Sequence, residues 1–295
     1  MIVCSDVNKQ DIRGHYEIAT PFYRLIWGHH IHHGLWNDPE SAESAALAQR
    51  RLVDAVSDVA RIESGQRILD VGCGMGGSAI QLVRTRGCHV TGITVSRLQQ
   101  RWASWAARWH GARQGTEFLC LDAEDAAWPA GSFDGLWTIE CTEHLFDKPR
   151  FFRRAAQWLR PGGRIAVCAW LAGDVVPGTE AERLVRGICR GCLCPSLGTM
   201  ADYGRWLQDA GLELETTLDW TDRVARTWDI CLRRVRRTGL RHLARAVDRR
   251  LVSFLDSMPA LREAYRSGAM YYGCLVARRS PSTRPENVGG TGGVS

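Results

Sequence analysis

The chain has 295 residues, 45% of them hydrophobic and 24% charged, which is ordinary for a globular protein and ample for a large core. No apolar run reaches the roughly 20 residues that cross a bilayer, and the start, MIVCSDVNKQDIRGHYE, lacks the basic, apolar and small-residue regions of a secretory leader, so the expected location is the cytoplasm. The net charge of +6 is arginine excess, since only Lys9 and Lys148 are lysines, and without a localised stripe it does not point to a nucleic-acid partner.

In chain order, residues 41–62 carry Ala45, Leu52, Val56 and Val59 at helical spacing, with Ser41 suited to cap the start. Arg67-Ile-Leu-Asp-Val71 reads as a buried strand running into glycines, followed by a helix from Ala79 to Arg86. Strand 88–95, helix 97–110, strands 116–121 and 133–139, helix 148–159 and strand 164–170 continue the alternation. Such a rhythm predicts an α/β fold: a Rossmann-like, doubly wound, mostly parallel sheet whose ligands bind at the carboxyl ends of the strands. Beyond residue 171 come a loop and helix over the site (172–198), a helix from Met200 to Ala210, strand 212–219, an Arg-rich helical stretch over 222–268 and a last buried strand from Met270 to Ala277. The resulting division is an N-terminal helical cap (1–62), a cofactor-binding core (63–171), the remaining strands with an inserted helical cap (172–279) and a tail (280–295) too poor in apolar residues to fold.

The eleven cysteines are an odd number and many lie in strand-like apolar runs, so a disulfide framework is not expected. Cys189, Cys192 and Cys194 lack a second ligand pair, and the spacing of His29, His30, His32 and His33 suits no zinc motif. No metal is assigned.

Asp70-Val-Gly-Cys-Gly-Met-Gly-Gly77 at a strand-to-helix junction lets a ligand approach bare backbone. A dinucleotide site would need an acid at the end of the second strand, where Gly92-Ile-Thr-Val-Ser96 has none, and no Gly-Lys-Ser/Thr follows for a P-loop. ILDVGCGMGG, VTGITVSRLQQ, LDAEDAAWPAGSFD and LRPGGRI together resemble the motif series of class I S-adenosylmethionine-dependent methyltransferases, over residues 12–220 or so. YEIATPFYRLIWGHHIHHGLW and IECTEHLFDK are similar to the branch of tocopherol, sterol and prenyl-diphosphate C-methyltransferases and natural-product O-methyltransferases, and GITVS looks like the cyclopropane fatty acid synthase relatives.

The resemblance implies S-adenosylmethionine as cofactor, with Asp70, Gly72, Gly74 and Gly76 at its methionine half, Thr94 and Gln99 at the ribose, and Asp122 and Ala123 at the adenine. Carboxylate and amide oxygens suit a ligand rich in donors. Methyl transfer leaves the protein to position an acceptor and handle one proton, for which Glu140, Glu143 and His144 are the candidates. Tyr16, Tyr23, Trp27, His32 and Trp36 are expected to wall a small, largely apolar acceptor. The alternatives are lipid-chain cyclopropanation, a non-catalytic cofactor-binding module and a nicotinamide oxidoreductase. The stretch from Arg233 to Arg250 is read as a solvated cap helix, with peripheral membrane contact or phosphate binding as its sharper options.

Overall fold

A computed structural model describes residues 1–38 and 42–281; Ser41 and the tail beyond Pro281 lie outside them. The alternation read from sequence builds the central sheet. Strands β2 (Arg67–Val71), β3 (His89–Thr94), β4 (Thr116–Cys120), β5 (Phe133–Ile139) and β6 (Leu159–Ala172) are parallel, and a short N-terminal strand β1 (Ile2–Val3) stands apart from them. The helices between them are α3 (Gly77–Arg86), α4 (Arg97–Trp109) and α5 (Lys148–Trp158), preceded by α1 (Lys9–Ile26) and α2 (Ala45–Val59). After β6 come α6 (Glu180–Gly191), β7 (Ser196–Leu197), which pairs with β1, then α7 (Met200–Asp209) and β8 (Leu212–Asp219). Four helices follow, α8 (Thr221–Val224), α9 (Arg226–Thr238), α10 (Leu240–Val247) and α11 (Arg249–Arg266), before β9 (Met270–Arg279).

The seven-stranded sheet runs β4-β3-β2-β5-β6-β9-β8, with β9 antiparallel to both neighbours. Because β3 lies on one side of β2 and β5 on the other, the chain reverses its winding there, and the crevice opens at the carboxyl ends of β2 and β5. Those ends carry Asp70 and Glu140.

Three local readings change. The helix read over 41–62 is α2, which begins at Ala45 with Ser44 as its cap, whose side chain accepts from the Leu47 amide, and ends at Val59 just before Arg61 enters the left-handed region. β6 starts at Leu159 and passes through Pro161-Gly162-Gly163, because its pairing with β5 jumps from Phe133↔Leu159 to Gly135↔Arg164 and absorbs the extra residues as a bulge. The Arg-rich stretch is four helices, broken at Ala225, at Gly239 with φ +61° and at Asp248.

The two caps fuse into one layer. Phe254 of α11 packs edge-on against Tyr23 of α1 at 5.2 Å between ring centres, and Trp27 meets Trp228 of α9 at 6.0 Å. All belong to a hydrophobic cluster shared with the sheet face that includes Trp137 and Cys168. Lys148 is buried at the start of α5 and donates to the Leu145 carbonyl and to both oxygens of Ser196, so its ammonium is satisfied while tying α5 to β7.

Candidate active site

The loop after β2 is shaped by what cannot fit there. At Gly72, φ is +79° and a Cβ would lie 2.4 Å from the Cβ and Sγ of Cys141, so only glycine lets the loop pass beneath the start of the β5 loop. Gly76 has a different task. With φ +80°, its missing side chain leaves room for Ala103 and Phe118, and it packs behind the loop instead of lining the crevice.

Asp70, 3% exposed, has one buried oxygen without a hydrogen-bond partner, and burial pushes its pKa up to about 7. It faces a crevice of about 330 Å³ with Gly72, Gly74 and Ser78. Adjoining it is a cleft of about 860 Å³, part of it open to solvent, lined by Gly72, Gly74, Thr94, Gln99, Asp122 and Ala123. Six of the eight residues tied to the cofactor thus border one cleft, and Asp70 borders its extension. Thr94 donates to Gln99 Oε1 at 2.7 Å, and Asp122 accepts from the Glu124 amide at 2.9 Å. An orphaned carboxylate oxygen at one end and carbonyl-type acceptors along the walls fit the amine and hydroxyls of S-adenosylmethionine.

Helix α1 roofs this cleft with Lys9, Ile12, Arg13 and Tyr16. Its start is clipped to the core by Lys9, whose ammonium lies 2.9 Å from Asp122 and 3.0 Å from Glu124. Farther along the helix, Glu17 accepts from the Arg97 and Leu98 amides at the start of α4.

Behind the cleft lies a chamber of about 480 Å³, part of it open to solvent, lined by Tyr16, Tyr23, Trp27, Ile31, Glu140, Glu143, His144, Trp170, Cys192, Cys194, Trp228 and Phe254. Tyr16, Ile31, Glu140 and His144 border both spaces. Positions 16, 23 and 27 fall on one face of α1, which is how the helix presents three rings to one space. Trp170, Trp228 and Phe254 were not singled out from sequence; Trp170 lies near the carboxyl end of a sheet strand, where ligands gather, whereas nothing local marks the two helical residues.

The three candidate proton carriers sit in different environments. Glu140 takes φ +54°, rare for a residue with a side chain. Its carboxylate accepts from the His33 amide (2.7 Å), the Tyr272 hydroxyl (2.9 Å) and the Trp170 indole (3.2 Å), and Nδ1 of His33 lies 2.9 Å away. Despite burial, these contacts with His33 hold its pKa below the usual carboxylate value. Glu143 accepts from the Trp170 amide, its other oxygen has no partner, and desolvation pushes its pKa up to about 8. His144 lies 3.0 Å from the Leu193 carbonyl through Nδ1, which fixes the proton there and leaves Nε2 to accept from the Tyr16 hydroxyl at 2.8 Å. Burial drives its pKa down to about 4, so the imidazole is neutral.

Two expected wall residues lie elsewhere. Trp36 is fully buried in a separate small crevice beside Ile26, Gly34 and Thr227, beneath the Arg226 guanidinium, because the chain turns inward at Gly34 to pack on α2. His32 borders the Asp70 crevice, 3.2 Å from both His30 and Ser78, and so faces the glycine loop and not the chamber. Among the described residues no group of three or more His, Cys, Asp and Glu side chains is placed to hold a metal ion, and no helix is long and apolar enough to cross a membrane.

The family model of mycolic acid cyclopropane synthetase matches residues 5–270. The 27-O-demethylrifamycin SV methyltransferase of Amycolatopsis mediterranei is 33% identical over 270 residues, covering 90% of this chain and 95% of the relative. A probable chloroplastic tocopherol O-methyltransferase of Oryza sativa is 29% identical, covering 94% and 80%. The solved geranyl diphosphate C-methyltransferase of Streptomyces coelicolor, in complex with Mg2+, geranyl diphosphate and S-adenosyl-L-homocysteine, shares the fold at TM-score 0.73 and 21% identity, covering 92% of this chain and 97% of that one. The chain therefore belongs to the mycolic acid cyclopropane synthetase family and is an S-adenosylmethionine-dependent methyltransferase.

Proposed function

We propose that the enzyme methylates a hydroxyl oxygen on an uncharged, largely apolar ring compound. The observation that carries this reading is the chamber's lining: aromatic rings and thiols with the carboxyl groups of Glu140 and Glu143, no lysine or arginine, and a hydrogen-bonded Tyr16–His144 pair where chamber and cleft meet. A diphosphate would need cations that this wall lacks. A ring acceptor would find aromatic faces on most sides. The names of the tocopherol and rifamycin relatives support the same class of acceptor.

Bound S-adenosylmethionine supplies a methyl group already activated by its sulfonium. Asp70 holds its amine, Thr94 and Gln99 its ribose, and Asp122 with Ala123 its adenine, Asp122 sharing its carboxylate with Lys9; Gly72 and Gly74 supply the bare backbone. Tyr16, which donates to His144, keeps its oxygen lone pairs free to accept from the acceptor hydroxyl. As the acceptor oxygen gains carbon its proton passes to Tyr16, and the tyrosine proton passes to Nε2 of His144, whose Nδ1–H stays on the Leu193 carbonyl. Glu140, saturated with donors, positions His33, Trp170 and Tyr272 and is not the base. Glu143 borders the chamber but not the cleft and is protonated at neutral pH, so it donates to a second polar group of the acceptor.

The test is turnover of labelled S-adenosylmethionine with hydroxylated polycyclic and quinol acceptors, prenyl diphosphates and unsaturated lipids. Product is expected with the first group only. Tyr16→Phe and His144→Gln should lower kcat by about 10²–10⁴-fold with cofactor affinity retained. Turnover of a prenyl diphosphate or an alkene, undiminished in His144→Gln, would refute the proposal.

A further inference from the structure

Outside the site, the surface between the end of α1, the start of α2 and the α3–α4 side carries a groove of about 2100 Å³, open to solvent. Its rim has Arg24, Arg50, Arg51, Arg84 and Arg234 against one carboxylate, Asp54. Arg51 is paired with Glu43, whereas Arg24, Arg50, Arg84 and Arg234 have no acidic partner among the described residues. Apolar side chains stand exposed beside these charges: Leu25 (63%) and Leu47 (39%) in the groove, Trp105 (59%) and Trp109 (74%) on α4 next to it. The chain has twelve tryptophans, and among the described residues these two are the ones exposed. They stack on each other at 5.8 Å, flanked by exposed Arg101 and Arg108. A solvated helix face does not explain two adjacent exposed indoles, each of which leaves a large apolar surface in water. Indole rings mixed with unpaired guanidinium groups are instead the composition that suits an interface between water and acyl chains under anionic head groups.

We propose that this face docks on an anionic lipid surface, Trp105, Trp109, Leu25 and Leu47 entering the head-group region and the exposed Arg50 and Arg84 meeting lipid phosphates. The groove shares Trp27 with the acceptor chamber. The surface is independent of the chemistry assigned to the chamber, and its test contains neither cofactor nor acceptor. Apart from Arg234, which lines the groove, it also differs from the Arg233 to Arg250 stretch that the sequence suggested for membrane contact. On that stretch Arg241 and Arg250 are paired with Asp256 and Asp248, and the exposed apolar side chains are Leu243 and Val247 on α10.

The full chain is to be co-sedimented with phosphatidylcholine vesicles and with vesicles containing phosphatidylglycerol. Binding is expected for the anionic vesicles and should weaken as salt rises. Trp105→Ala/Trp109→Ala and Arg50→Glu/Arg84→Glu should each lower the partition coefficient by about tenfold or more, with unfolding temperature unchanged because all four side chains are exposed. No binding to anionic vesicles overturns the proposal. So does equal binding by the tryptophan variant, or loss confined to Leu243→Glu/Val247→Glu, which would move the contact to α10. A dimer by light scattering that the tryptophan variant converts to monomer would make the patch a self-interface and also refute it.

Discussion

Glu143 offers a sharp test, because the role assigned to it depends on its being protonated. Its pKa rises from 4.5 to about 8 on burial. Below pH 4.5 both folded and unfolded chains carry the proton and the group contributes no pH dependence. Between there and pH 8 the unfolded chain has lost the proton while the folded chain keeps it, so stability falls as pH rises. At about 1.4 kcal/mol per unit, the loss by pH 7 is on the order of 3 kcal/mol and by pH 8 on the order of 5 kcal/mol. Glu143→Gln removes this titration, at the cost of about 1–3 kcal/mol for an amide that finds no partner where the second carboxyl oxygen had none. Urea unfolding of both proteins at pH 5, 6.5 and 8 should show the variant less stable at pH 5 and overtaking the wild type as pH rises. Parallel stability curves across that range would mean that Glu143 is not held protonated, and its assignment as a donor to the acceptor would fall with it.

Asp70 yields a binding counterpart. With its pKa pushed up to about 7 by burial, an amine-holding carboxylate should bind S-adenosylmethionine more tightly as pH rises from 6 to 8, and Asp70→Asn should abolish that slope in calorimetric titration. Pro or Ala scanning is unnecessary at the loop: Gly72→Ala places a methyl 2.4 Å from Cys141 at φ +79°, so a thermal unfolding shift equivalent to about 2 kcal/mol or more is expected. Gly72→Ala/Cys141→Ala should recover only part of it, since the Cβ of residue 141 stays 2.4 Å from the new methyl and the backbone strain remains; full recovery would show that the contact with the sulfur alone mattered.

Much of the fold was legible because its signals are local. Glycine at 65 and 87, Pro161-Gly162-Gly163 and the strand-length apolar runs mark α-to-β junctions, and the motif order from Asp70 to Asp122 follows from the strands alone. The strand ends at Asp70, Thr94 and Asp122 had to converge once the sheet was parallel, because such a sheet gathers its carboxyl ends on one edge. The acceptor chamber was different. Tyr16, Tyr23 and Trp27 share a helix face that periodicity can reveal, but Trp228 and Phe254 reach them from more than 200 residues away, and no local pattern encodes that docking. Nor could sequence separate Glu140, Glu143 and His144, three titratable groups within five positions. Their protonation depends on which donors and how much water surround each carboxyl and imidazole: the His33 amide and Tyr272 hydroxyl saturate Glu140, desolvation keeps Glu143 neutral, and the Leu193 carbonyl sets the His144 tautomer. The sequence determined the cofactor and the sheet that holds it, since both are written in short-range motifs. The tertiary structure decided which side chain can move a proton, since that is a property of neighbours brought from β9, α6 and the turn after α1.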